Sequence, residues 1–205
     1  MIIAVDGPTA SGKGTIAKAL AAHFGLPVLD TGLLYRAVGY QTQLDHGDPD
    51  NAADALAACE FPASLLDDPA LRFESTGSLA SRASVHPQVR AALLQRQVDF
   101  ANQPGGAVLD GRDIGTVIAP HAEAKLFVTA SPEVRARRRH DELVRLGRPS
   151  HYEDVLIDIR ARDERDTGRD AAPLCPATDA LLLDTSDLTI EAAIAQAVTL
   201  VESRR

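Results

Sequence analysis

Two kinds of hydrophobic pattern alternate along the chain. Short runs that are almost wholly apolar predict strands buried on both faces of a parallel sheet. We expect five such strands, at residues 2–5, 27–29, 107–109, 124–128 and 181–183. Strands that alternate with helices are typical of α/β proteins, in which helices cover both faces of the sheet. The pattern therefore predicts an α/β fold with a five-stranded parallel sheet, formed by a single domain that spans residues 1–205.

Between these runs, apolar residues recur every three or four positions, which predicts amphipathic helices. The expected helices cover residues 14–24, 33–44, 86–102, 131–146, a segment that begins near 150, and 190–201. Ser131 and Pro132 supply an N-cap and a first-turn proline for the fourth helix. The segment from Ser150 to Glu153 fits a capping box at the start of the fifth helix.

Residues 45–85 follow neither pattern. Turn-forming residues occur there at Asp48-Pro49-Asp50, at Asp67-Asp68-Pro69 and at Ser75-Thr76-Gly77-Ser78. We interpret this stretch as a small insert that lies outside the core of the sheet.

Composition and charge narrow the functional classes. The 205 residues are 45% hydrophobic, which allows one buried core, and no apolar run approaches the roughly 20 residues that span a bilayer. A net charge of −8 disfavours nucleic acid as a partner, because nucleic-acid binding normally needs a broad basic surface. The first residues lack the basic flank of a signal peptide, and Cys59 and Cys175 form no Cys-x-x-Cys pair. We expect a cytoplasmic monomer without a membrane segment or disulfide, in which both cysteines are small buried groups.

Residues 7–15 carry the clearest chemical signal, because they lie between the first strand and the first helix. They are Gly7, Pro8, Thr9, Ala10, Ser11, Gly12, Lys13, Gly14 and Thr15. Glycines in such a loop let successive backbone N–H groups surround a triphosphate, and the helix N-terminus adds positive potential. Lys13 would reach the β- and γ-phosphates of ATP, and the Thr15 hydroxyl would hold Mg²⁺. Gly14 stands where the common pattern has Ser or Thr, and this Gly-Lys-Gly-Thr form is similar to that of nucleoside monophosphate kinases.

A phosphate-binding loop by itself indicates only that a triphosphate is bound. A GTPase switch normally needs a guanine-reading Asn-Lys-x-Asp segment, and a transport ATPase needs its signature loop; the sequence contains neither. A glycine-rich turn that merely contains a lysine is disfavoured by the strand–loop–helix setting. The interpretation that remains is a kinase that phosphorylates a small acceptor.

Two further polar segments follow predicted strands. Residues 29–36 (Leu-Asp-Thr-Gly-Leu-Leu-Tyr-Arg) follow the second strand, and residues 110–116 (Asp-Gly-Arg-Asp-Ile-Gly-Thr) follow the third. Ligands bind at the carboxyl edge of open parallel sheets, so both segments should face the same crevice as the loop. Arg162, Asp166 and Arg169 lie at i, i+4 and i+7 of a predicted helix and share one face. An exposed ion pair between Arg162 and Asp166 is the alternative to a role in binding.

These motifs resemble those of bacterial cytidylate kinases along nearly the whole chain. The similarity is carried by Gly-Lys-Gly-Thr, Asp-Thr-Gly-Leu-Leu-Tyr-Arg, His-Pro-Gln-Val-Arg, Asp-Gly-Arg-Asp-Ile-Gly-Thr and Arg-Asp-Glu-Arg-Asp-Thr-Gly-Arg. The resemblance implies a P-loop kinase that transfers the γ-phosphoryl group of ATP to CMP or dCMP. It also implies a monophosphate-binding insert at about 37–85 and a helical lid at about 131–169. The insert is shorter than in many members, and the hairpin expected around Arg72 to Ser81 should be missing or trimmed.

The resemblance further implies roles for particular residues. Those that would hold the phosphate of CMP are Thr31, Arg36 and Arg112. Those that would read cytosine are Ser81, Arg90 and Asp113. Asp166 would hold the ribose hydroxyls, and Arg162 and Arg169 would close over the transferring phosphoryl group. The implied catalytic set is Lys13, Arg112, Arg162 and Arg169. The arginines implied to lie near ATP are Arg135, Arg138 and Arg139.

Other interpretations stay open. The chain has eighteen Arg and only three Lys, which suits bidentate phosphate contacts but can equally reflect genome composition. Most charges between Ser131 and Asp170 are expected to form a solvated surface. A kinase for UMP or for a non-nucleotide acceptor and a nucleotide-binding module without turnover are both compatible with the loop. A nucleic-acid-binding protein is disfavoured by the net charge.

Overall fold

The computed structural model describes residues 1–148 and 150–204, so position 149 of the predicted lid lies outside the described residues. The strands are β1 (Ile2–Asp6), β2 (Val28–Asp30), β3 (Ala107–Gly111), β4 (Ala124–Thr129) and β5 (Leu181–Asp184). They form one sheet in the order β2-β3-β1-β4-β5, and every neighbouring pair is parallel. The predicted α/β class and five-stranded parallel sheet are confirmed.

Helices fill the connections between the strands. They are α1 (Lys13–Phe24), α2 (Thr31–Leu44), α3 (Ala52–Ala57), α4 (Glu74–Ala83), α5 (Pro87–Ala101), α6 (Pro132–Arg145), α7 (Tyr152–Gly168) and α8 (Ile190–Glu202). A π-helical turn, Ile114–Ile118, follows β3. Ser131 caps α6 as predicted, because its hydroxyl accepts a hydrogen bond from the Val134 N–H at 3.3 Å.

Successive residues of β1 pack on opposite faces of the sheet, as the two-residue period of a strand requires. Ile3 and Val5 are fully buried in a core that they share with α1 and α8. Ile2 and Ala4 belong to the opposite core, which contains residues of α5 and the π-helical turn, including Ile114. Both faces of β1 are therefore covered, and β3 is likewise buried along its whole length, which explains why these strands are continuous apolar runs.

Residues 45–85 are largely helical, although their sequence pattern predicted no helix. They comprise α3, three short 3₁₀ turns (Ala58–Glu60, Ala63–Asp67 and Pro69–Arg72) and α4. Together with α2 and α5 they form a further core around Leu34, Val38, Leu71 and Leu93. Residues 74–83 form the helix α4, where many relatives are expected to have a hairpin. The prediction that this hairpin is missing or trimmed is confirmed.

Two local predictions are wrong. Helix α7 begins at Tyr152 with His151 at its N-cap and makes no side-chain capping hydrogen bond, so Ser150 stands one position too early to form a capping box. Cys175 is exposed and Cys59 is half-buried, because Cys175 lies in the connection between α7 and β5, away from the cores. In the part of the chain that the structure describes, no helix is both long and apolar enough to cross a bilayer.

The strand order creates a crevice at the carboxyl edge of the sheet. Strand β1 lies between β3 and β4, so the connection that leaves β1 and the connection that leaves β3 run to opposite sides. Ligands of open parallel sheets bind where such connections diverge. The loop that follows β1 and the segment that follows β3 both lie at this point.

Candidate active site

The loop between β1 and α1 turns sharply at Gly7, which has φ +152°. A Cβ atom at this position would lie only 2.0 Å from the carbonyl oxygen of Val128 on β4, so no other residue fits. Helix α1 begins at Lys13, and Gly12 at its N-cap makes no side-chain capping hydrogen bond. The first N–H groups of α1 are thereby left to an external acceptor such as a phosphate.

Lys13 lies beside a carboxylate at the end of β3. Its Nζ atom is 3.6 Å from Asp110 Oδ1, and the two side chains are 13% and 6% exposed. Burial lowers the pKa of Lys13 and raises the pKa of Asp110. An incoming phosphate would stabilise the charged form of Lys13, because it adds negative charge to a site from which water is largely excluded.

The donors around Lys13 fit Mg²⁺ that is held mainly by phosphate. Asp110 Oδ1 is buried without a hydrogen-bond partner among the described residues, and Thr15 and Asp30 border the same cavity. In the described ranges, no group of three or more His, Cys, Asp or Glu side chains is arranged to hold a metal. Mg²⁺ commonly binds through one or two protein oxygens together with phosphates and water, which matches this donor set.

Three adjoining cavities follow the carboxyl edge of the sheet. The outer cavity, of about 680 Å³, is bordered by Arg138, Thr185 and Ile190. The loop cavity, of about 330 Å³, contains Lys13 and Asp110. The inner cavity, of about 90 Å³, lies beyond it, against α2, α4 and α7.

Most of the residues predicted to bind ATP border the outer cavity or the loop cavity. Those that border the loop cavity are Thr9, Ala10, Gly12, Lys13, Gly14 and Thr15. Ser11 and Arg138 border the outer cavity, and Arg139 borders both. Gly7 and Pro8 border none of the three cavities; Gly7 shapes the turn instead. Arg138 donates to the backbone and side-chain oxygens of Thr185, at 2.5 and 2.9 Å.

Arg135 is placed differently from its two neighbours. It is 3% exposed, and its guanidinium donates to Asp163 on α7 at 2.9 and 2.6 Å. Its Nε–H donates to the Ala130 carbonyl at 2.8 Å. These contacts tie α6 to α7, so Arg135 supports the fold next to the loop, and it borders none of the three cavities.

The inner cavity brings together all the residues predicted to bind the acceptor. They are Thr31, Arg36, Ser81, Arg90, Arg112, Asp113, Arg162, Asp166 and Arg169. Arg36, Arg112 and Arg162 also border the loop cavity, so three guanidinium groups stand where the two cavities meet. Ser81, Arg90 and Asp113 border the inner cavity but not the loop cavity that contains Lys13, and the part of the inner cavity next to them is its remote end.

Helix α4 approaches this meeting point at Gly77. A Cβ atom on Gly77 would lie 2.9 Å from a terminal nitrogen of Arg162 and 3.0 Å from one of Arg36. Arg36 is held in place by hydrogen bonds from one terminal nitrogen to the carbonyl oxygens of Leu71 and Phe73, at 2.9 and 3.0 Å. The missing side chain at Gly77 therefore lets two cations converge beside α4.

Buried ion pairs fix the remaining arginines. Arg112 Nε donates to Asp166 Oδ2 at 2.8 Å, and Arg169 lies 3.9 Å from the other oxygen of Asp166. Burial alone would lower the pKa of Arg112, but the Asp166 carboxylate raises it. Arg162 pairs with Asp158 at 2.8 Å and is 6% exposed. The alternative of an exposed Arg162–Asp166 pair is therefore wrong, because Arg112 occupies Asp166 and both side chains are buried.

Polar side chains line the remote end of the inner cavity, and contacts with neighbouring residues hold them in place. Arg90 forms a short, buried ion pair with Asp113 and lies over the Tyr35 ring, 5.3 Å from its centroid. Ser81 Oγ accepts a hydrogen bond from Arg165 Nε at 3.1 Å. This end offers a carboxylate, a guanidinium and a hydroxyl, a set that can recognise the hydrogen-bonding edge of a small heterocycle.

Four residues near the site were given no role by the sequence. Asp6 ends β1, is 4% exposed and accepts hydrogen bonds from the N–H groups of Ile114 and Gly115, both at 2.8 Å. The others are Asp110, Gly77 and Arg165. An acidic residue at the end of a buried strand was the available signal for Asp6 and Asp110. For Arg165 the signal was its spacing of three from Arg162 on one helix.

A sequence model of the cytidylate kinase family matches residues 3–203. The chain belongs to the cytidylate kinase family. A cytidylate kinase from Xanthobacter autotrophicus is 60% identical over 205 residues, which is 100% of this chain and 99% of the relative. A cytidylate kinase from a Caulobacter species is 56% identical over 205 residues, or 100% of this chain and 95% of the relative. The expected family is thereby confirmed.

A solved structure is similar in fold. The crystal structure of an uncharacterized protein from Eubacterium ventriosum superimposes with a TM-score of 0.55 and covers 99% of both chains. Its sequence identity to this cytidylate kinase family member is 14%, so the similarity concerns the fold alone.

Proposed function

We propose that this chain transfers the γ-phosphoryl group of ATP to CMP or dCMP, giving ADP and CDP or dCDP. One observation carries the proposal. Arg36, Arg112 and Arg162 border both the loop cavity that contains Lys13 and the inner cavity. Two phosphate groups bound on either side of these arginines would lie end to end, as direct transfer requires.

ATP would occupy the outer and loop cavities. Its triphosphate would accept hydrogen bonds from the loop N–H groups and lie against Lys13. Its base and sugar would lie in the outer cavity, near Arg138 and Ile190. Thr15 and Asp110 would hold Mg²⁺ beside the phosphates, and the ion when bound would neutralise negative charge on the β- and γ-oxygens.

The acceptor would occupy the inner cavity with its phosphate toward Lys13. Arg36 and Arg112 would bind that phosphate, together with the Thr31 hydroxyl. Asp166, which borders the same cavity, would hold the ribose hydroxyls. At the base end, the Asp113 carboxylate would accept from the exocyclic amino group of cytosine.

Catalysis requires no general base in this arrangement. The acceptor oxygen of a nucleoside monophosphate is already anionic at neutral pH. The protein therefore has to align the two phosphates, exclude water and neutralise the charge that develops between them. Lys13, Arg112, Arg162 and Arg169 would supply this neutralisation.

We further assign residues 37–85 to a monophosphate-binding insert and residues 131–169 to a lid. The insert has its own core, and α4 brings Ser81 and Gly77 to the inner cavity. Helices α6 and α7 carry Arg139 and Arg162 over the loop cavity. A cytoplasmic location and a monomeric state remain predictions from the sequence.

An acceptor panel tests the proposed function. ADP formation from ATP would be measured with CMP, dCMP, UMP and non-nucleotide acceptors, with Lys13→Ala as the control. We expect ADP to form with CMP or dCMP and Lys13→Ala to abolish it. ATP binding without acceptor-dependent ADP would instead identify a nucleotide-binding module without turnover, and faster turnover with another acceptor would identify a different kinase.

A further inference from the structure

A hydrogen bond joins the lid helix to the base end of the inner cavity. Arg165 Nε, on α7, lies 3.1 Å from Ser81 Oγ, on α4. Both side chains are half-buried, and Ser81 borders the inner cavity whereas Arg165 does not. Arg165 therefore contacts a cavity-lining hydroxyl from behind.

The carboxylate of Asp50, which lies near Arg165, does not compete with Ser81 for its hydrogen bond. The nearby carboxylate of Asp50 is engaged by Arg82, which donates to it at 2.9 and 2.7 Å. Arg165 adds only a longer-range attraction that helps to lower the pKa of Asp50, for which the hydrogen bond from Arg82 is the largest cause.

The chemistry of this contact is directional. A guanidinium can only donate hydrogen bonds, whereas a serine hydroxyl has one proton to donate and two lone pairs that accept. With one lone pair filled by Arg165, the hydroxyl proton is turned away from the cation. For Ser81 this favours donation into the inner cavity.

A fixed donor at this point would distinguish the two common pyrimidines. Ring nitrogen N3 of cytosine is an acceptor, whereas the same nitrogen of uracil carries a proton and is a donor. A freely rotating hydroxyl could serve either base, but a hydroxyl held as a donor suits cytosine and opposes uracil.

We propose that Arg165 is a specificity-determining residue, which acts by holding the Ser81 hydroxyl as a hydrogen-bond donor toward the base. This inference rests on the proposed function, because it assumes that a nucleoside monophosphate occupies the inner cavity with its base next to Ser81. Arg165 touches no reacting atom, so it is a positioning residue.

The test compares kcat/KM for CMP with kcat/KM for UMP. In Arg165→Gln we expect the CMP-to-UMP ratio to fall about tenfold, the size expected when one directional hydrogen bond is lost. Arg165→Lys keeps a donor-only cation and should recover part of the ratio. Arg160→Gln is the matched control, because Arg160 lies on the same helix but is 60% exposed and pairs with Glu133.

A double-mutant cycle shows whether Arg165 acts through Ser81. In a Ser81→Ala background, adding Arg165→Gln should change the ratio less than about twofold, since the hydroxyl that Arg165 positions is gone. The KM for ATP reports on general damage to the fold and should stay close to that of the wild type.

Two results would overturn the inference. One is an unchanged CMP-to-UMP ratio in Arg165→Gln, and the other is an equal loss with CMP and UMP, which indicates a merely structural role. Both leave wild-type CMP phosphorylation intact, so they differ from failure of the proposed function, in which the wild type itself forms no ADP with CMP. That last result would overturn both proposals.

Discussion

Arg112 and Asp166 join the end of β3 to α7, with Arg112 Nε donating to Asp166 Oδ2 at 2.8 Å. Asp166 is 8% exposed, so this is a buried, charge-assisted hydrogen bond. It places the segment that follows β3 in direct contact with α7. Arg162 pairs with Asp158 and borders both the loop cavity and the inner cavity.

Arg162→Ala should lower turnover far more than it weakens ATP binding. An arginine that neutralises charge in the transition state contributes roughly 10³ to 10⁵ in rate in related phosphoryl transfers. We expect kcat for CMP to fall by at least about 10³-fold, with the Kd for ATP within a few-fold of that of the wild type. Steady-state kinetics and ATP titration check this, with Arg160→Ala as the control on the same helix. Near-normal turnover in Arg162→Ala would remove Arg162 from the catalytic set.

Gly77→Ala should damage acceptor binding without weakening the fold. Alanine favours a helix over glycine by roughly 0.5–1 kcal/mol, yet the new Cβ atom would lie about 3 Å from Arg36 and Arg162. Both guanidinium groups would have to move, so we expect kcat/KM for CMP to fall roughly 10- to 100-fold while thermal stability is kept. Gly168→Ala is the matched control, because nothing lies within 4 Å of its added Cβ atom. Equal kinetics in the two variants would contradict the close approach.

Asp6 should make stability depend on pH. Burial raises its pKa to about 7, and the nearby carboxylates of Asp113 and Asp110 add to the rise. The folded state therefore holds a proton on Asp6 that the unfolded chain releases at lower pH, so the stability that this proton contributes is lost as pH rises toward and through 7. The uncharged side chain of Asp6→Asn removes this dependence.

Urea unfolding of the wild type and Asp6→Asn at pH 5 and pH 8 measures the effect. We expect the wild type to lose roughly 2–3 kcal/mol relative to the variant across this interval. The asparagine also replaces one acceptor of the Ile114 and Gly115 N–H groups, but that cost is the same at both pH values. A difference between the two proteins that does not vary with pH would mean that Asp6 stays ionised throughout.

The lid should close when both substrates are bound. Arg145 is exposed at the end of α6, two residues before Gly147, and offers a site for trypsin. Closure would bring α6 and α7 onto the nucleotides, so CMP together with a non-hydrolysable ATP analogue should slow cleavage after Arg145 more than either ligand does alone. The same cleavage rate with and without ligands would count against a lid at residues 131–169.

The strands were predictable from the sequence, and the helix α4 was not. Strands β1 and β3 are buried along their whole length and so read as continuous apolar runs. The edge strands β2 and β5 are also apolar runs, although Val28 and Leu182 are exposed. Helix α4 contains Gly77 and several serines, and it is stabilised by packing on α2. There Gly39 allows the two backbones to approach, since a Cβ atom on Gly39 would lie 2.7 Å from the Leu79 carbonyl carbon. Such a close approach depends on two segments together. It produces no regular spacing of hydrophobic residues in the sequence of either segment alone.

The residues of the candidate site likewise fall into those that the sequence predicts and those that it does not. Residues within contiguous motifs, such as Lys13 and Arg112, could be predicted because the motif also specifies its strand–loop–helix setting. Gly77 and Arg165 could not, because their importance arises from side chains that are distant in sequence. Gly77 matters because Arg36 and Arg162 converge on it, and Arg165 matters because it reaches Ser81 across the gap between α7 and α4.

The central claim is direct transfer between two phosphates that face each other across Arg36, Arg112 and Arg162. The stereochemical course at the transferred phosphorus tests it, with ATP whose γ-phosphorus is made chiral by sulfur and oxygen isotopes and with CMP as the acceptor. A single in-line displacement predicts inversion of configuration in the CDP that forms. Retention of configuration would require a phosphorylated intermediate between the two substrates and would contradict the account.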